Sequence, residues 1–400
     1  MSAEERFHSL DAVRACALLA GIVLHAIMGY MPGWPFTYGS TSTGLGVLYF
    51  VIHIFRMALF FIIAGFFARL LHQRLGTKNF IKNRLKRIGL PFIAAFFFIM
   101  PLTIIPIIWS VRQLGIQSPP NMQPPFPIIG PPVPMGHLWF LYVLLVIYML
   151  AMGLRTIVER FDPEQTLRNK MSGLVESLIK TRIAVFVLTA PLAISLFTSP
   201  WWIQWQGIPS PIMGLVPNFP ALLAYGSAFL MGWFIHRQQN CLRLFAADWF
   251  LYFAFALLAT VVALYIGGIT PKFVAIALSD RERAIFAIAY VVAQWCWAFA
   301  MIGLAVRYLS APSARWRYLA DASYWMYLIH LPIVWLLQAW MLRWPLHWSI
   351  KLSLILTITS LVLIASYHYL VRPTFLGKFL NGKKYPRAKH VDQSELSKNN

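Results

Sequence analysis

Two segments concentrate residues that can do chemistry. LDAVRACALLAGIVLHA (10–26) sets Asp11, Arg14 and His25 in an apolar run, and VIHIFRMALFFIIAGFF (51–67) sets His53 and Arg56 in another. An imidazole titrates near neutrality, so it can take a proton from a hydroxyl as a general base. A guanidinium stays charged and binds phosphates, carboxylates or a developing oxyanion. A charged side chain costs about 2.5–3.5 kcal/mol at the centre of a lipid-buried helix, so it faces a cavity or a partner. In DASYWMYLIHLPIV (321–334), Ser323, Tyr327 and His330 share a helix face and Asp321 falls opposite His330. His137 and Trp139 open GHLWFLYVLL at an outer membrane surface, where a Trp also suits an interfacial anchor. His368 stands near the inner end of the last apolar run.

Other chemistries lack their residues. There are no paired carboxylates deep in an apolar run, which argues against glycosidase-type acid and base work. No HExxH, GxSxG, Walker loop or dinucleotide fingerprint occurs. Cys16, Cys241 and Cys296 are far apart and form no CxxC pair, so neither a metal site nor a disulfide framework is expected.

Helices must position these groups. Arg14 and His25 are eleven residues apart, three turns plus about 20°, so they lie on one stripe about 16 Å apart in depth. Asp11 lies one turn before Arg14 and can pair with it. The stripe passes Leu18, Gly21 and Ile22, and Gly21 lets a neighbour pack close. The next apolar run returns in the opposite direction. Helix rise puts His25 about 8 Å, His53 about 12 Å and Arg56 about 17 Å below the outer ends of their helices, so the three can meet.

Composition makes these runs membrane spans. The 400 residues are 59% hydrophobic and 12% charged, against about 25% charged in soluble domains. Ten stretches approach the roughly 20 apolar residues that a span needs: 10–30, 45–71, 88–111, 138–154, 183–199, 218–236, 248–267, 284–307, 318–341 and 348–371. The fold class expected is all-α, a polytopic membrane protein of about ten transmembrane helices. The net charge of +21 is explained by topology rather than nucleic acid: with both termini cytoplasmic, about 25 of the 34 Lys and Arg fall in cytoplasmic segments, and about 6 in the opposite orientation. The acidic N-terminus and the lack of a small-residue cleavage site suit a retained signal anchor. Residues 1–375 form the membrane-embedded domain, and 376–400 a basic, then polar, partly disordered cytoplasmic tail. The Pro-rich stretch 118–136 is stiff, either an ordered rim over a cavity or a solvated loop.

These segments resemble a family. Arg14 and His25 with ten residues between them, FFIIAGFF closing the second span, KNRLKRIGLPF entering the third, and SYWMYLIHLP near the end are similar to the acyltransferase-3 family of membrane O-acyltransferases. LDAVRACALLAGIVLHA, IHIFRMALFFIIAGFF, RLKRIGLPF and HLWFLYVLL look more like its glucans biosynthesis protein C branch, linked to succinylation of periplasmic glucans in bacteria. The family's frequent esterase-like extension is not expected after the last span. The resemblance implies an inner-membrane enzyme taking an acyl group, succinyl in this branch, from cytoplasmic acyl-CoA to a hydroxyl of a periplasmic glucan, without a metal. Arg14, Lys82, Arg84 and Arg87 would meet the phosphates of acyl-CoA. His25 would be the general base, with His53 or Arg56 on the oxyanion; alternatively Arg56 holds a succinyl carboxylate, and an acyl-histidine route stays open. His137, Trp139, Tyr327 and His330 would contact the acceptor. The competing readings are an O-acetyltransferase for another envelope glycan or a lipid-linked sugar, and a small-molecule transporter. Oligomeric state is not legible.

Overall fold

A computed structural model describes residues 7–116, 132–382 and 385. Among these residues the chain is helical, with one isolated bridge between Pro134 and Met213. The helices are α1 (His8–Met28), α2 (Thr43–Arg84), α3 (Leu90–Leu114), α4 (Trp139–Phe161), α5 (Thr166–Lys180), α6 (Ala184–Phe197), α7 (Phe219–Arg237), α8 (Asn240–Gly267), α9 (Asp280–Tyr308), α10 (Ala314–Trp340), α11 (Trp348–Ser366) and α12 (Phe375–Asn381). Each predicted span falls in one of them. The tail beyond 385 and most of the Pro-rich stretch lie outside the described residues. The end of that stretch is paired: Met135 N–H donates to Ile212 O at 2.8 Å, and Gly214 N–H to Val133 O at 3.0 Å.

Seven helical runs are long and apolar enough to cross a membrane, or eight if the α5–α6 pair, bent by 99°, forms one span. One of the seven, Thr43–Leu114, is 72 residues long. Straight, it would reach about 108 Å, over three times the hydrocarbon thickness. It breaks at Gly76, whose φ of 70° departs from helix, and passes through a π turn at Leu85–Gly89 into α3. It therefore carries two predicted spans separated by the basic segment 72–87. α6 has 14 residues, short of a full crossing by its own rise. α10 is not among the seven, because His330, Gln338 and its aromatic residues dilute the apolar run.

The outward faces carry bare apolar side chains, such as Phe98 at 73% and Leu258 at 60% exposed, as a lipid-facing surface requires. Inside, α1 packs between α2 and α10, and α2 crosses α7. That crossing is backbone on backbone: a Cβ added at Gly65 would collide with Phe229 O, and one at Gly232 with Ile62 O. Small residues at helix contacts allow such close approach in membranes. α1 is tied to α10 at both ends. Arg14 donates to Ala320 O, and Gln338 Nε2 donates to Ala26 O at 2.8 Å and His25 O at 3.2 Å.

Candidate active site

One cavity of about 1040 Å³ follows α1. Arg14, Arg84 and Arg87 line one end, and Trp34, Trp201 and Phe273 the other. Between them stand His25, His53, Arg56, His137, Trp139, Tyr327 and His330. Every site residue expected from the sequence is thus on its wall except Lys82, which is exposed on α2 and does not line it. The physical reason is helix phase: Lys82 points away from the side on which Arg84 and Arg87 turn inward.

The stripe on α1 meets α2 at Gly21. A Cβ there would collide with Arg56 Nη1, so the guanidinium rests on the bare glycine between Arg14 and His25. Tyr49, Tyr225 and Tyr327 lie within electrostatic reach of that guanidinium. The Tyr49 ring is 5.1 Å from His53. No carboxylate ion pair holds Arg56 among the described residues, so its charge faces phenols and the cavity.

His25 has a nearer imidazole than His53. Its ring lies 5.2 Å from that of His330, which lies 5.6 Å from that of His137. His330 and His137 are 3% and 8% exposed, so both rings are buried inside the bundle. Trp139, packed 5.2 Å from Tyr225, is buried too and does not act as an interfacial anchor. The hydrogen bonds of these rings define their tautomers. A carbonyl can only accept, so His330 Nδ1 donates to Tyr327 O at 2.7 Å and His137 Nε2 donates to Leu328 O at 3.2 Å. In the neutral rings, His330 Nε2 and His137 Nδ1 are then lone-pair acceptors. Both are buried without a partner, as is His25 Nδ1. Unpaired acceptors in a cavity suit hydroxyl donors. Tyr327 closes the group by donating to His137 O at 2.6 Å. Among the described residues no group of three His, Cys, Asp or Glu could hold a metal ion.

The family model for the acyltransferase-3 acyltransferase domain matches residues 7–367. The chain belongs to the acyltransferase-3 family. This acyltransferase-3 chain is 26% identical over 349 residues, 82% of each chain, to glucans biosynthesis protein C of Salmonella gallinarum (strain 287/91 / NCTC 13346). The proteins of the same name from Salmonella paratyphi B and Salmonella typhi match equally. No solved structure matches the chain. The protein is accordingly a multi-pass membrane acyltransferase.

Sequence reasoning missed the clustering of His330 with His25, because α1 and α10 are some 300 residues apart. It also missed Gln338 as the clamp on the end of α1, and the phenols around Arg56. A polar residue in an apolar run was the available signal for Gln338.

Proposed function

We propose that this acyltransferase works in the bacterial inner membrane and moves a succinyl group from cytoplasmic succinyl-CoA to hydroxyls of a periplasmic glucan. One observation carries the reading: a single cavity has arginines at one end, His25 deep in its wall and an aromatic rim at the other end. The asymmetric distribution of Lys and Arg supports ten spans with both termini cytoplasmic, which puts the arginine end inside. The name of the Salmonella relatives supports a glucan acceptor.

Arg14, Arg84 and Arg87 bind the phosphates of acyl-CoA, and the pantetheine arm follows the α1 stripe toward His25. The glucan hydroxyl reaches His25 from the aromatic end, held by the bare acceptors of His330 and His137. His25 removes the hydroxyl proton as the oxygen attacks the thioester carbonyl. Arg56 faces the tetrahedral oxyanion, or the free carboxylate of the succinyl group. Collapse breaks the C–S bond, and the imidazolium returns its proton to the CoA thiolate.

The test supplies purified protein with succinyl-CoA, acetyl-CoA and a periplasmic glucan, and follows free CoA. Acceptor-dependent release from succinyl-CoA is expected; release from acetyl-CoA alone overturns the succinyl donor, and no release from either overturns both as donors. His25→Ala is expected to lower kcat by about 10²–10⁴-fold, the range for a positioned general base. Near-normal turnover of that variant removes His25 as the base.

A further inference from the structure

A second cluster of charge lies apart from the cavity, where α2 passes the end of α4, the start of α5 and the end of α7. Arg69 of α2 is 8% exposed. Its Nε is buried without a hydrogen-bond partner, and it makes no ion pair among the described residues. The guanidinium stands 5.7 Å from the centre of the Trp233 ring, and that of Arg155 stands 5.9 Å from the same ring. Arg155, Arg168 and Arg237 all act on Arg69 as like charges.

The other three are occupied. Arg155 pairs with Glu159, Arg168 with Glu159 at 3.4 Å and Asp162 at 3.0 Å, and Arg237 donates to Asn169 Oδ1. Among the described residues these four arginines and two carboxylates sum to +2 around a buried guanidinium. Burying a charge without a counterion is costly, and an arginine fork matches the oxygens of a phosphate. None of these residues lines the main cavity.

We infer that Arg69, with Arg155 and Arg237 around Trp233, forms a phosphate-binding site on this face, separate from the acyl-transfer cavity. The ligand is a phosphate group, carried either by an anionic lipid headgroup at the end of the bundle or by a soluble phosphate compound. The site does not depend on the identity of the acyl donor or acceptor.

Native mass spectrometry of the detergent-purified full chain tests it, with phosphatidylglycerol, phosphatidylcholine and pyrophosphate as probes. The wild type is expected to bind phosphatidylglycerol or pyrophosphate about tenfold more tightly than phosphatidylcholine, as one charge-assisted contact implies. Phosphatidylglycerol binding that pyrophosphate does not displace identifies a lipid headgroup; pyrophosphate binding that Arg69→Gln removes identifies a soluble phosphate. Arg69→Gln should remove the preference and Arg69→Lys retain part of it. Arg343→Gln, an exposed arginine that belongs to neither site, should leave it intact. Arg237→Gln, at a half-buried helix end that tolerates change, should weaken it. Equal binding of all three probes by the wild type overturns the site, as does a full preference in both Arg69→Gln and Arg237→Gln.

Discussion

Gly21 is the residue on which the cavity wall turns. Its missing Cβ is the space that Arg56 Nη1 occupies, so a methyl group must displace the guanidinium. Gly21→Ala is expected to lower kcat/KM for acyl transfer by about tenfold, ~1.4 kcal/mol of transition-state stabilisation, with the fold retained. Gly153→Ala on α4 is the control, because nothing lies within 4 Å of its added Cβ; equal losses in both variants would refute the contact. The sequence made half of this legible. Arg14 and His25 share a stripe by helical period alone, and Gly21 is readable as a gap. That Arg56 fills the gap, and that His330 rather than His53 is the nearer imidazole to His25, depends on how distant helices pack, which periodicity within one helix does not encode.

Among the elements, the bent run from α2 into α3 matters most to the site. The basic segment leaves α2 at Gly76 and turns through Leu85–Gly89, and this brings Arg84 and Arg87 onto the cavity wall while Lys82 stays outside. Arg84→Ala and Arg87→Ala are expected to raise the KM for acyl-CoA severalfold with little change in kcat, and Lys82→Ala to do neither; a loss confined to acceptor use would reverse the assignment of that end. A second element has a pH signature. Outside the spans, Asp162 is slightly desolvated but accepts hydrogen bonds from the backbone N–H groups of Leu167 and Arg168 and from the Arg168 side chain, which together hold its carboxyl below the usual carboxylate range. These are donors of the first turn of α5, left open by any helix N-terminus. Because folding lowers this pKa, its stabilising contribution is complete above the unfolded carboxylate value, about 4, and is lost as pH falls through the lower folded value. Asp162→Asn should speed amide exchange in α5 severalfold at pH 7, with the difference from wild type shrinking at pH 3; a pH-independent difference would contradict it. Ten of the helices were readable as apolar stretches, and α5 and α12 were not. The short α6 and the polar α10 were not readable as exceptions, since only packing reveals that α6 bends against α5 and that the polar residues of α10 face a cavity.

At the scale of the molecule, charge, apolar surface and cavity fall into one order. Apolar side chains face outward, polar ones turn inward onto a cavity that follows α1 from arginines to aromatic rings, and α1 is clamped at both ends to α10. Composition made the membrane class legible, and charge asymmetry gave an orientation. The cavity as one continuous space was beyond reach, because it is made by five or more helices that are distant in sequence. That continuity has an electrical consequence. Any polar passage that follows a helix through a bilayer is a route for protons and cations, and each 100 mV across it drives a unit charge with about 2.3 kcal/mol. The Arg56 guanidinium, lodged on Gly21 midway along α1, sets a fixed positive charge in that route, and such a charge raises the barrier to protons and cations. The side chain that the proposed mechanism sets against the acyl group would thus also insulate the membrane.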